Sequence, residues 1–136
     1  MEIRNSTIAS TGSFGSYVRW ARWAALTCIG LIIVLSTVSG NLRPHTGAPG
    51  NFEHAIAYAA TGAVVAFGFS SRPLTLVAAF FAILSGSLEI AQIWIPGRSA
   101  GWDNFVASTA GALAGGVVVR LMFRVVTRRI ARPQPS

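Results

Sequence analysis

Four apolar stretches succeed one another along the chain, each closed by a short polar or turn-forming segment. The first runs from about Val18 to Ser39 and is uncharged after Arg22, enough for the ~20 residues that carry a helix across a bilayer. Gly40 to Asn51 collects Pro44, Gly47, Pro49 and Gly50 and reads as a loop, with a turn at Ala48-Pro49-Gly50-Asn51. Glu53 and His54 open a second stretch that reaches Phe69, short for a span. Ser70-Ser71-Arg72-Pro73 leaves room only for the turn of a tight helical hairpin, with a serine as cap and Pro73 in the first turn that follows. The third stretch covers 73–95, Ser99 to Asp103 forms a loop, and the fourth covers 104–126. The pattern predicts an all-α fold: a polytopic four-helix transmembrane bundle over 17–127, with a disordered polar tail at 1–16 and a basic tail at 128–136.

Composition supports a membrane as the solvent. The 136 residues are 52% hydrophobic and only 11% charged, with a mean hydropathy of +0.55, too apolar for a soluble domain of this size. The net charge of +7 comes entirely from arginines and concentrates at the two ends, so it implies contact with an anionic membrane surface and no nucleic acid. Tyr17 to Trp23 mixes arginines with aromatics, the composition of a membrane interface. Arg4, Arg19, Arg22, Arg72 and the five arginines from Arg120 to Arg132 fall on one side of a four-span arrangement, and only Arg43 and Arg98 on the other. The positive-inside rule then makes both termini cytoplasmic. A cleavable signal is the rival reading, because Ser36 to Gly40 also suits a cleavage site; three spans would remain. Cys28 stands alone, without a disulfide or metal partner in the sequence.

The candidate chemistry gathers where the third stretch ends, at Leu88-Glu89-Ile90-Ala91-Gln92-Ile93-Trp94-Ile95-Pro96-Gly97-Arg98. In a helix ending at Ile95, Glu89 lies roughly 9 Å inside the end at ~1.5 Å per residue. A carboxylate there needs a partner. Gln92 shares its face, and Arg98, beyond the Pro96-Gly97 turn, is the expected counter-ion. His54 and Tyr58 share a face of the second helix. The threading brings Glu53, His54, Glu89, Gln92, Arg98, Asp103 and Asn104 to one outer face. Gly111 and Gly115, extended by Ala107, form a small-residue ridge that lets another helix approach closely.

Asn51-Phe52-Glu53-His54-Ala55-Ile56-Ala57-Tyr58, Glu89-x-x-Gln92, Pro96-Gly97-Arg98 and the Asn104, Ser108, Gly111, Gly115 series together resemble the VanZ-like membrane proteins, over Pro44 to Gly116. His54, Tyr58, Glu89, Gln92 and Arg98 match residue types of that pattern. Gly50-Asn51 stands where the family often has Asp-Lys, and Asn104 and Ser108 where it usually has Asp and Asn. The resemblance implies a site and a link to glycopeptide (teicoplanin) resistance in the cytoplasmic membrane of a bacterium, without a defined reaction.

Two function classes follow. One is a non-enzymatic envelope protein binding an amphiphile, a lipid-linked envelope precursor or a partner membrane protein through the polar cluster His54, Tyr58, Glu89, Gln92, Arg98, Asn104 and Ser108. The other is a membrane-embedded enzyme on a lipid or lipid-linked substrate, with Glu89 or His54 as acid or base and Arg98 on an anionic head group. No Gly-x-Ser-x-Gly or cysteine nucleophile lies near the cluster, and His45, Glu53, His54 and Glu89 lack paired metal-ligand spacing, so no cofactor or metal is expected. The four stretches show no internal repeat of the kind transporters use, and oligomeric state is left open.

Overall fold

The computed structural model describes residues 3–42 and 47–130, with side chains from 15–42 and 47–129. Arg43 and His45 of the first loop, and Arg132 and the rest of the C-terminal tail, lie outside the described residues. Within them the fold is all-helical: α1 (Ile3–Thr37), a 3-10 turn (Gly40–Leu42), α2 (Gly50–Gly68), α3 (Leu74–Gln92) and α4 (Trp102–Ile130). Three of the helices contain segments long and apolar enough to cross a membrane, at Gly15–Thr37, Leu74–Gln92 and Trp102–Arg129. α2 is not among them. Its sequence, rich in alanine and glycine, suits the middle of a bundle more than a lipid face.

Among the described residues α2 touches each of the other three helices, while α1 and α4 do not meet. Its closest neighbour is α4, along the ridge expected from the sequence. A methyl group built on Gly115 would lie 2.8 Å from the Ala59 carbonyl carbon, and one on Gly62 would lie 2.8 Å from Ala112 Cα. One on Gly111 would meet the backbone of Ala55 at 3.0 Å. Glycines on both helices thus bring the two backbones together, the arrangement by which helices associate where lipid removes the hydrophobic drive. Beside this seam, Tyr58 packs edge-on against Phe81 of α3 at 5.9 Å between ring centroids, and Phe81 is fully buried. Ala25 and Ile32 of α1 close the core from the other side.

The ends of the bundle differ in chemistry. Trp94 and Trp102 are exposed at the end where α3 finishes and α4 starts, and Tyr17, Trp20 and Trp23 at the opposite end. Trp102 and Arg120 are 18 residues apart on α4, about 27 Å at ~1.5 Å per residue, close to the thickness of a bilayer's hydrocarbon core. At the arginine-rich end Arg120 donates to the carbonyls of Ser70 and Arg72 and, at 3.4 Å, of Phe69. Arg22 donates to Gly68 O at 2.9 Å and lies over the Phe69 ring. Two arginines therefore satisfy carbonyls that the end of α2 leaves without intrahelical partners.

Several boundaries differ from the pattern. The backbone of residues 3–16, expected as a disordered tail, continues α1, for no proline interrupts the stretch. α3 stops at Gln92 instead of Ile95, and 3-10-type bonds follow, from Trp94 N to Ala91 O at 3.2 Å and from Ile95 N to Gln92 O at 3.1 Å. Pro96 explains this: its ring disfavours helical geometry at Ile95 and collides with the carbonyl four residues back. At the other ends α2 begins at Gly50, and α4 extends over Trp102–Ile130, past both limits of 104–126.

Gly115→Ala is expected to destabilise the bundle by about 1–3 kcal/mol through overpacking of the α2–α4 seam. Leu113→Ala, at a position exposed to the bundle exterior, should change the detergent melting temperature little. Equal effects of the two substitutions would remove the seam from the account.

Candidate functional site

The end of the bundle where α3 finishes and α4 starts is assembled by the turn that Pro96 forces. Gly97 has φ +75°, in the region open chiefly to glycine, and its backbone packs against Gly40 just beyond α1. Gly40 N and Ser39 Oγ both donate to Pro96 O at 3.1 Å. Arg98 then reaches back to α1, where its Nε donates to Val38 O at 3.0 Å and its Nη2 donates to Leu35 O. A guanidinium at a helix C-terminus both fills orphan carbonyls and meets the negative end of the helix dipole. Buried Gln92 adds a third tie, with Nε2 donating to Ser36 O at 3.1 Å.

Glu89 lies on the other side of this turn. Its Oε2 accepts from Gly101 N at 2.8 Å, and Asn104, whose Nδ2 donates to Ser99 O at 3.2 Å, lies beside the same carboxylate. The carboxylate therefore ties α3 to the start of α4. The expected direct pairing of Glu89 with Arg98 is replaced by two separate backbone anchors. Arg98 acts on Glu89 through its charge, while its Nε and Nη2 hold α1. The short α3 is the reason: Glu89 is three residues from the helix end, about 4.5 Å along the axis, close enough to meet the loop that follows.

Two cavities open around these anchors. The polar one, about 540 Å³, is lined by Asn51, Glu53, His54, Gln92, Arg98, Ser99, Asp103 and Asn104 together with glycine-rich backbone. The apolar one, about 440 Å³, lies between α1 and α2 and is lined by Ile32, Leu35, Phe52, Ile56, Ala57 and Tyr58. Ala48, Glu53, His54 and Arg98 line both. Leu35, Phe52 and Ile56 are also exposed on the bundle exterior, so the apolar cavity opens sideways.

Of the residues singled out in the sequence, His54, Gln92, Arg98 and Asn104 face the polar cavity, and Tyr58 faces the apolar one. Glu89 stands behind Asn104 as a support. Ser108 is buried beside Tyr58, whose ring lies 6.3 Å from that of His54 between centroids. Asp103 and Ser99 were not expected as site residues, though Asp103 was already placed at the outer face. Ser85 was missed entirely: it is buried and shares a hydrogen bond of 3.1 Å with Thr109. A lone serine in an apolar run carries no pattern that separates a core polar pair from a packing residue. Among the described residues no group of three His, Cys, Asp or Glu side chains could hold a metal ion. No family model, curated protein or solved structure matches this chain.

Arg98→Ala should lower stability by about 1.5–3 kcal/mol, the range for hydrogen bonds to a charged group. Because Glu89 and Arg98 hold different segments, Glu89→Gln should not rescue it. A double-mutant cycle on detergent melting curves should give a coupling below about 0.5 kcal/mol. Recovery of wild-type stability in the double variant would restore the pair as the main interaction.

Proposed function

We propose that this is a VanZ-like integral membrane protein that binds an amphiphile, with the tail in the α1–α2 groove and the head in the outer polar cavity. The observation that carries the reading is the junction of the two cavities at Ala48, Glu53, His54 and Arg98. Ligand sites are concave and mostly apolar, with a few polar groups that fix orientation. An apolar slot open to the side and continuous with a polar chamber matches an amphiphile in both parts. Lipid-linked envelope precursors belong to this ligand class, and the family likeness adds a role in the bacterial envelope, in the setting of glycopeptide resistance. Glu89 holds the α3–α4 loop and does not line either cavity, which favours binding over acid–base chemistry on Glu89.

In this reading α2 is a fourth span, and both termini lie in the cytoplasm of a bacterial cell. The support is the arginine asymmetry between the two ends and the tryptophans exposed at each. Reporter fusions after Gly50 and Gly101 should therefore register outside, and fusions after Arg72 and Ser136 inside. A carboxyl terminus outside the cell would overturn the arrangement.

The ligand is tested by native mass spectrometry of the protein extracted in mild detergent. Wild type should retain one lipid through extended detergent exchange. Ile56→Trp, which fills the groove from an exposed position, should lose that lipid and keep its melting temperature. Equal retention by both proteins would contradict the proposal.

A further inference from the structure

At the end of the bundle away from the polar chamber, positive charge stands without acids. Arg19, Arg22, Arg72, Arg124, Arg128 and Arg129 are exposed there. The three acids among the described residues, Glu53, Glu89 and Asp103, all lie at the other end. One of these arginines is held in place. Gly68 brings α1 and α2 so close that a methyl group built on it would lie 3.1 Å from Arg22 N. Arg22 Nε donates to Gly68 O at 2.9 Å, and the guanidinium lies 5.4 Å from the centre of the Phe69 ring. These contacts fix the guanidinium, while Nη1 and Nη2 have no partner among the described residues. Arg19 lies one turn earlier on the same face, exposed and without a hydrogen bond or ion pair of its own. Like charges at that spacing repel, and an anion shared between them removes the cost. Trp23 is four residues from Arg19 and 63% exposed, so it offers an indole N–H beside the pair.

The surroundings indicate the kind of anion. Arg22 is the last charged residue of α1, and exposed Leu26 follows one turn further on. Tyr17 and Trp20 flank the pair, both exposed, as aromatic side chains do at a bilayer interface. The pair thus stands at the level where lipid phosphates lie. We infer that Arg19, Arg22 and Trp23 form a site that selects an anionic phospholipid, with its phosphate shared between the two guanidiniums and its acyl chains along the exposed face of α1. A guanidinium is the side chain best matched to phosphate oxygens, and one already fixed loses less freedom on binding. A zwitterionic head group would bring an ammonium into the same field, and like charges at close range discriminate against it. Diffuse attraction of a basic protein to a charged surface follows total charge, whereas this site depends on which arginine is present.

The test uses the full-length protein, stripped of lipid in detergent, and an equimolar mixture of chain-matched phosphatidylglycerol and phosphatidylethanolamine. Bound species are read by native mass spectrometry, in wild type and in Ile56→Trp, where the α1–α2 groove is filled. Phosphatidylglycerol should be favoured about tenfold in both proteins. Arg19→Gln, at an exposed position without a protein partner, should lower the ratio in wild type and bring it near parity in Ile56→Trp. Its melting temperature should not change, so the loss reports binding and not folding. Arg128→Gln removes the same charge from exposed α4 and should leave the ratio as it was. Soluble glycerol 3-phosphate at the lipid concentration should not displace the lipid. Displacement would assign the site to a free phosphate ester and overturn the lipid assignment. Parity in Ile56→Trp, or an unchanged ratio in Arg19→Gln, would overturn the inference. An equal fall in Arg19→Gln and Arg128→Gln would replace the site with diffuse attraction.

Discussion

The contact between α2 and α4 sets the rest of the structure. Backbone meets backbone at Gly62, Gly111 and Gly115, and no side chain larger than hydrogen fits at those points. Two consequences follow from so close an approach. α2, the one helix among the described residues without a stretch long and apolar enough to cross a membrane, is drawn into the middle, where its small residues are covered by neighbours instead of lipid. The starts of both helices are fixed side by side, so Glu53 and His54 of α2 face Asp103 and Asn104 of α4 across one chamber. In a membrane, where apolar surfaces gain little by meeting each other, this kind of steric fit is the available source of specificity.

Around that seam, helix ends are closed by arginines. Arg98 caps α1, while Arg22 and Arg120 close the end of α2 and the hairpin turn after it. Each reaches across to a different element, by 46 to 63 positions in sequence. These side chains resolve two problems at once: orphan carbonyls at helix ends and charge in an apolar chain. The same economy explains Glu89. A carboxylate near the end of α3 takes the Gly101 N–H, Asn104 donates to the Ser99 carbonyl, and the loop between α3 and α4 is held without a formal ion pair.

Much of this was legible in the sequence, and the limits were physical. Apolar runs and turn residues located every helix, because the solvent imposes its length on a span and Pro and Gly mark its ends. The ridge at Gly111 and Gly115 was legible because small residues at four-residue spacing have few other uses in lipid. The convergence of His54, Gln92, Arg98 and Asn104 followed from the threading. The partner of Arg98 did not, since a C-terminal carbonyl of α1 carries no residue identity and any helix end offers the same group. The depth of Glu89 was overestimated for a related reason: Pro96 acts backward on the turn before it, and shortens α3 by a few residues. The apolar groove was not legible at all. It exists only where α1 and α2 diverge, and the divergence depends on packing between helices, not on either sequence alone.

The central claim is that the space between α1 and α2 holds a chosen lipid and not bulk bilayer. It can be tested in native membranes by placing a photo-crosslinking amino acid at Leu35, on the groove, or at Ile83, exposed on α3 away from it. Lipids captured at Ile83 should reproduce the composition of the membrane. Those captured at Leu35 should be dominated by one head-group class. The same mixture at both positions would mean that the groove is ordinary lipid-facing surface, and would contradict the account.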